Sequence, residues 1–557
     1  MDVCKSIAIA LFLALCSGMV GGCGSTSARG AQAAASGPPK HGGTLTITLA
    51  TEPAIINPWL AQGAMSVTTW LVDGTNDPLI ELDPAGNWQP VLAVRVPTAE
   101  NGDVKIISDH EMTIDIDLAP AASWSDGEPI TCEDVAFTWK TVMNPAYSLS
   151  NRLGWEHITA IACPTAKHVH IVMDEPYAMY RSRLLALGPL PAHTLKGKDF
   201  NTVWNDRVTV SSGPFLFQTW QRGVKLVMVR NPKWWRAGAE KKPYLDRVIF
   251  RFTKDANTLK MQLRMTEADM AFIPADTNLT EELASIPDIS FKVLPGAATE
   301  QLELQTEHAP LNNVHVRRAL AYAIDRDLVA RVVLKNQAPV AQQSTVPGLP
   351  VYEHDTWARY KVDPAKVISE MKLAGYTRSG SGMWEKNGKS FTLTWSAGAG
   401  SMPFRARIAQ LVQEQLRRQG IAIKISLITP AVLYSDIAPQ GKFHIGEWSE
   451  MTGVEPAPSL ILGCDQIPVA PGWAGKNRFR WCNHEADAIM RKADTAIDPA
   501  ARAKLLEQVD SIVADQAVDL PLFRLPDVSA WNHRVQGFKP NPQPGHTWNM
   551  DEWWLSS

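Results

Sequence analysis

Trp124-Ser125-Asp126-Gly127-Glu128-Pro129-Ile130-Thr131-Cys132-Glu133-Asp134-Val135 is the stretch on which the reading of this 557-residue chain turns. Ser125-Asp126-Gly127 is a turn, because Asp bonds its own backbone and Gly accepts a positive φ. Pro129 ends that turn. Thr131, with Asp134 three residues later, forms a capping-box pattern and predicts a helix that begins there. Val135, Phe137 and Trp139 are expected to be buried by packing of that helix on the rest of the fold.

Outward from this point the pattern alternates between strand and helix. Leu45, Ile47 and Leu49 alternate with Thr, as a half-buried strand requires, and a helical stretch runs from about Ser66 to Gly74. Met112 to Leu118 alternates again. In the second half, Asp363-Pro364 starts a helix expected to place Val367, Ile368, Met371 and Ala374 on one face, closed by Gly375. A further helix carries Ile408, Leu411, Val412, Gln415 and Leu416, ends at Gly420, and feeds a strand through Ile421, Ile423, Ile425 and Leu427. Asp498 with Pro499 opens a last helix, striped by Leu505, Leu506, Val509, Ile512 and Val513. Leu520-Pro521-Leu522-Phe523 follows as extended chain. Strands fed by helices in this way indicate an α/β protein.

Composition narrows the class. A hydrophobic content of 45% with 20% charged residues describes a globular chain with a sizeable core. A net charge of -3 argues against nucleic acid as a partner. Tryptophan is over-used, with 20 Trp against 9 Tyr, which serves either a large core or an aromatic-lined cleft. No G-x-S-x-G elbow, H-E-x-x-H pair, P-loop or dinucleotide fingerprint is present, so an enzyme is not expected, nor a cofactor.

The N-terminus reads as a targeting segment, residues 1–22, with Lys5 in the basic region and Ile7 to Leu15 as the apolar run. Val20-Gly21-Gly22-Cys23 resembles a lipobox, which makes Cys23 the expected lipidated (palmitate-bearing) residue. Residues 23–40 are rich in Ser, Ala and Gly and read as a flexible tether. Of 7 cysteines, four remain for the folded part: Cys132, Cys163, Cys464 and Cys482. An even count in an exported protein suggests two disulfides; of three connectivities, proximity favours Cys132–Cys163 and Cys464–Cys482. A zinc site would need His484 beside Cys482 and distant partners, and no metal is expected.

The opening stretch, written W-S-D-G-x-P-[IL]-T-x-x-D-V, resembles the signature of family-five extracellular solute-binding proteins. Ser212-Gly213-Pro214-Phe215 with Trp220, Arg230-Asn231-Pro232-Lys233-Trp234-Trp235 and Lys242-Pro243-Tyr244-Leu245-Asp246 resemble further landmarks of that family. So does Val316-Arg317-Arg318-Ala319-Leu320-Ala321-Tyr322-Ala323-Ile324-Asp325-Arg326. The landmarks run in order from about residue 42 to about residue 550. The resemblance implies a two-lobed periplasmic-binding-protein fold of the type II, three-subdomain variety, with a hinge and an interlobe ligand cleft. Lobe I would comprise residues 41–305, with a subdomain at about 83–210, lobe II residues 306–519, and 520–557 a return to lobe I. Crossings would fall near Leu302–Gln305 and Asp519–Leu522.

The function implied is a lipid-anchored, monomeric receptor on the outer face of the cell membrane. It would capture an oligopeptide or peptide-like solute and deliver it to the permease of an ABC importer. The alternative is a non-transport regulatory or assembly lipoprotein of the cell envelope. Peptide-binding members commonly pair the peptide's α-amine with an aspartate in a W-x-x-D-Y segment. Here Trp448 matches the Trp, but the Asp position falls on Met451 or Thr452, and Glu450 or Glu447 is the candidate substitute. Gln62, Ala64 and Trp155 complete the expected ligand contacts. With neutral Gln62 and no Asp near 451, the cleft is expected to be less anionic than one built for free peptide N-termini.

Overall fold

The computed structural model describes residues 37–556 except 275–277, 346–347, 401, 403, 452 and 542–544. The targeting segment, Cys23, most of the tether and Thr452 therefore lie outside the described residues. No helix among the described residues is long and apolar enough to cross a membrane.

Ten strands make one mixed sheet. In chain order they are β1 (Thr44–Leu49), β2 (Phe215–Gln221), β3 (Lys225–Arg230), β4 (Arg247–Phe252), β5 (Met270–Pro274), β6 (Ile289–Leu304), β7 (Thr392–Gly398), β8 (Ala422–Ile428), β9 (Ile445–Glu450) and β10 (Asp519–Asn532). Across the sheet the order is β8-β7-β9-β6-β10-β5-β1-β4-β3-β2. The Thr/Leu alternation of β1 places Leu45, Ile47 and Leu49 at 1% exposure or less, in a core that extends to Phe272 and returns at Trp531. A second, separate core runs from Leu302 to Phe523. Two cores on one sheet make two lobes.

β6 and β10 belong to both. Ile289–Pro295 pairs with the 526–532 end of β10, beside β5 of the first lobe. Thr299–Glu303 pairs with the 519–524 end, while β9 of the second lobe flanks it. The register breaks between Pro295 and Thr299, and again between Glu300 and Gln301.

The helix predicted after Thr131 spans Cys132–Met143. It packs on a four-stranded antiparallel sheet of Val104–Ser108, Glu111–Asp117, His168–Met173 and Ile158–Thr165. Asp134 is the hub of the opening motif. Its carboxylate accepts from Thr131 N at 2.9 Å, from Ala192 N at 2.9 Å and from the Trp124 indole at 3.4 Å, and the residue is 4% exposed. Cys132–Cys163 ties the first turn of this helix to the edge strand, and Cys464–Cys482 closes a loop in the second lobe. The only group of potential metal ligands among the described residues, Cys464, Cys482 and His484, contains that second disulfide.

Some details depart from the periodicity. Val135 is buried, but Phe137 and Trp139 are half-buried, because one face of the helix meets the sheet and they flank it. In the helix Pro364–Leu373, Val367 and Met371 face the core while Ile368 is exposed; one residue on from Val367 it is rotated about 100° away. Leu427 is exposed as well, since β8 is the sheet's edge.

Asp134→Ala removes three bonds to a buried carboxylate. It is expected to destabilise the first lobe by about 3 kcal/mol, read as a lower midpoint in urea. A change below about 0.5 kcal/mol would show that the motif is only a turn.

Candidate functional site

A cavity of about 460 Å³ opens between the loop after β1 and a loop of the second lobe at Gly453-Val454. That size lies within the range of small-molecule sites. Its walls start from the loop after β1, where Pro58 and Trp59 face inward. Asn57, fully buried, fixes the loop: its carbonyl accepts from Trp59 N at 3.1 Å and its amide donates to Val203 O at 3.2 Å. Trp155 meets Trp59 edge-on, with ring centroids 6.0 Å apart. It follows Gly154, whose φ is +85° and where a Cβ would stand 2.5 Å from the Tyr177 ring. Trp88, Trp234 and Trp548 add aromatic wall. A lobe II loop closes the cavity with Gly453 and Val454.

The charges are unequal. Asp73, Asp77, Glu81 and Asp551 line the cavity, against Arg183 and Arg236. Burial pushes Asp77 up to about 6, opposed first by the Arg236 charge and then by the Trp234 and Trp235 indole N–H groups, which donate to its carboxylate at 3.1 and 2.8 Å. Burial raises Asp73 to about 7, with Thr547 Oγ1 donating to it at 2.6 Å. Glu81 goes furthest, to about 8. Burial outweighs the pull of Arg236, and Asp77, Asp551 and Asp73 repel its charge. Asp551 is raised by burial too, with Lys242 at 3.9 Å opposing. Among the described residues the Glu81 carboxylate has no hydrogen-bond or ion-pair partner, and neither has the Arg183 guanidinium. Such crowding holds protons until a cation replaces them.

The description "bacterial extracellular solute-binding proteins, family 5 Middle" matches residues 87–463. The chain belongs to that family. Among its relatives, the oligopeptide-binding protein AppA of Bacillus subtilis (strain 168) is 24% identical over 562 residues, 98% of this chain and 97% of that protein. The di/tripeptide-binding protein 2 of Pseudomonas aeruginosa (strain UCBPP-PA14) is 27% identical over 66% of this chain and 63% of its own length. The fold superposes on a periplasmic EDTA-binding protein, EppA, with a TM-score of 0.82 at 22% identity, covering 95% of this chain and 100% of that one. It also matches Bacillus subtilis AppA in complex with a nonapeptide, with a TM-score of 0.73 at 22% identity, covering 93% and 100%. The architecture is the periplasmic-binding fold.

Within this family member, Trp155 lines the cavity and is 6% exposed. Gln62 and Ala64 are exposed and stand outside its walls, although Pro58 and Trp59 just before them face inward. Trp448 is fully buried inside the second lobe, donating its indole N–H to Glu303 at 2.7 Å and meeting Phe443 edge-on. Glu450 is held by Arg478 at 2.6 Å, and Met451 is 55% exposed. Glu447 is fully buried on the opposite face of β9, bonded by the Trp395 indole at 2.9 Å. Neither glutamate faces the cavity. The cavity is lined by four carboxylates, Asp73, Asp77, Glu81 and Asp551, none of them from the 447–451 segment.

Sequence reading missed Asp73, Asp77, Glu81, Arg183, Arg236 and Asp551. A signal existed in Trp234-Trp235: paired indoles need acceptors when buried, and Asp77 supplies one.

Trp235→Phe removes one of the two indole donors from the ionised Asp77. Its titration is expected to move from about 6 to about 7 or higher, read by carboxyl carbon NMR. An unmoved midpoint would mean that the indoles do not set this charge.

Proposed function

We propose that this chain is the substrate-binding protein of an ABC importer, capturing a peptide-like solute whose cationic group enters the acidic end of the cavity. One observation carries the reading: an aromatic-walled cavity with an unpartnered glutamate among three further carboxylates. A buried ammonium or guanidinium needs such acceptors, and the surrounding indoles attract it as well. Carboxylates on the first lobe would thus replace the aspartate that is lacking near Met451, and a non-transport role gains no support from that gap. Arg183 stands by the lobe II loop, ready for a carboxylate or carbonyl of the same solute.

The lobes touch in this form. Glu455, whose side chain is fully buried, accepts from Ser182 Oγ at 2.7 Å and Ser182 N at 3.2 Å, and Arg181 stands 3.5 Å away. Leu82, Leu349, Tyr352, Ala493 and Leu506 form an apolar seam beside them. In this reading β6 and β10 are the hinge, flexing near their register breaks, and the solute favours closure by touching both lobes. Lipidation at Cys23 would hold the receptor at the membrane, where it meets the permease. Blocking that step with Cys23→Ser should release the protein from the membrane fraction.

Thermal shift with short peptides tests the solute. A lysine-containing tripeptide at 100 times its Kd is expected to stabilise the protein by about 2.7 kcal/mol. A glutamate-containing analogue should bind at least tenfold more weakly, and Glu81→Gln should narrow that difference. No stabilisation by any peptide pool, with no solute retained in native mass spectra, would overturn the reading.

Glu455→Ala leaves Arg181 and Ser182 without their acceptor in the closed form. It is expected to shift the balance toward the open form by about 2 kcal/mol, roughly thirtyfold, seen by small-angle scattering with ligand present. An unchanged scattering profile and affinity would remove Glu455 from closure.

A further inference from the structure

The second lobe buries more acid than its neighbouring bases offset, and the excess lies on the strands that join the lobes. Glu303 of β6 and Asp519 of β10 are register partners, so their side chains leave the same face of the sheet directly opposite each other. They are 0% and 3% exposed. Glu303 Oε1 accepts from the Trp448 indole, but Glu303 Oε2 and Asp519 Oδ1 have no hydrogen-bond partner among the described residues. Gln301 Oε1 and Thr299 Oγ1, further along the same face of β6, are also unpartnered.

The surroundings do not neutralise both acids. From β9 comes Glu450, paired with Arg478, whose charge is the largest pull against the burial of Glu303. From the helix Pro499–Gln516 comes Asp510, which accepts from Ser344 and lies 3.5 Å from His354 Nδ1. The Arg326 guanidinium, which reaches the Pro521 carbonyl of β10, is committed to that carbonyl and to those of Ala341 and Trp357. Arg524 bonds Gly296 O. On the opposite face Arg405 is taken by Glu300 at 2.7 Å, beside Glu447. Two opposed carboxylates in this setting cannot both keep a charge.

We propose that Glu303 and Asp519 share one proton and form a pH-sensitive clasp between the two strands that connect the lobes. The protonated carboxyl donates its O–H to the carboxylate of the other, which gives both orphaned oxygens a partner. Losing the proton sets two like charges against each other at the lobe II end of β6 and β10. The disturbance has a short route to the ligand, because Glu303 also anchors Trp448, and β9 runs on into the Gly453-Val454 wall of the cavity. The clasp stands on its own geometry, whatever solute the cavity takes.

The direction of the pH effect follows. Burial raises Glu303 from 4.5 to about 8, and Asp519 well above 3.8, with Glu303, Asp510 and Glu450 adding repulsion. The folded state therefore holds more protons than the unfolded chain between about pH 4 and pH 8. Stability is fullest below the unfolded values and is lost as pH rises through about 8. The pair titrates as a unit in two steps.

The test is the melting temperature of the purified protein from pH 5 to 9.5, beside Glu303→Gln and Asp519→Asn. Each amide supplies a fixed N–H donor and removes the second ionisation, so either variant should at least halve the alkaline fall seen in the unaltered protein. Infrared difference spectra between pH 7 and 9.5 should show a protonated carboxyl lost from the unaltered protein and a smaller loss in the variants. Equal alkaline falls in all three proteins would overturn the clasp. Should an amide variant fail to fold, infrared spectra of Glu81→Gln, which lacks the cavity's own late-titrating acid, decide, and no carboxyl proton lost over that range would overturn it.

Discussion

The pairing of β6 with β10 is the constraint on which the rest depends. These two strands run antiparallel through both lobes, so one ladder of hydrogen bonds fixes how the two cores sit on a common sheet. Each lobe has its own main core, and besides the strand pair the described residues join the lobes through the Glu455 contact, Ala178 N donating to Asp494 O at 2.8 Å, the Lys335–Glu281 pair at 2.8 Å and the apolar seam of Leu82 and Tyr352, with Ala457 and Ile497 reaching the first core. Contacts of this kind can part and re-form, whereas the strand pairing holds. The register breaks at Pro295 and Glu300 mark where the ladder is weakest, between the two lobes.

Buried charge recurs on either side of that ladder, with different neighbours. In the first lobe, carboxylates face an enclosed space with room for a solute, and Glu81 lacks a partner because that space faces it. In the second lobe, Glu303 and Asp519 face each other within packed protein. The same desolvation raises both sets. In the first the space beside the acids has room for a cation that would restore the charge; in the second the acids face each other across adjacent strands. Glu300 with Arg405 shows the ordinary solution, a buried acid matched by its own guanidinium.

Much of the scaffold was legible because its chemistry is local. The turn at Asp126-Gly127, the capping pair of Thr131 and Asp134, the β1 alternation and the Asp498 cap each involve residues a few positions apart. Both disulfides also join cysteines close in sequence. The site was much less legible. Asp77 is defined by Trp234 and Trp235, more than 150 positions later, and Asp73 by Thr547 at the other end of the chain. No spacing rule announces such pairs. Trp448 resembles a ligand-contacting Trp, and only the fold shows that its indole N–H goes to Glu303, 145 positions away. Periodicity likewise finds a helix but not its rotation, as the exposed Ile368 shows.

The first lobe is proposed to read, through Glu81 and its neighbours, a positive charge on the solute. A crystal structure of the protein with a lysine-containing tripeptide tests it most directly. The peptide is expected in the cavity between Trp59, Trp155 and Val454, with a cationic nitrogen about 2.7–3.2 Å from the Glu81 carboxylate. A peptide bound elsewhere, or one whose cation turns to the 450–452 loop and leaves Glu81 without a partner, would contradict it.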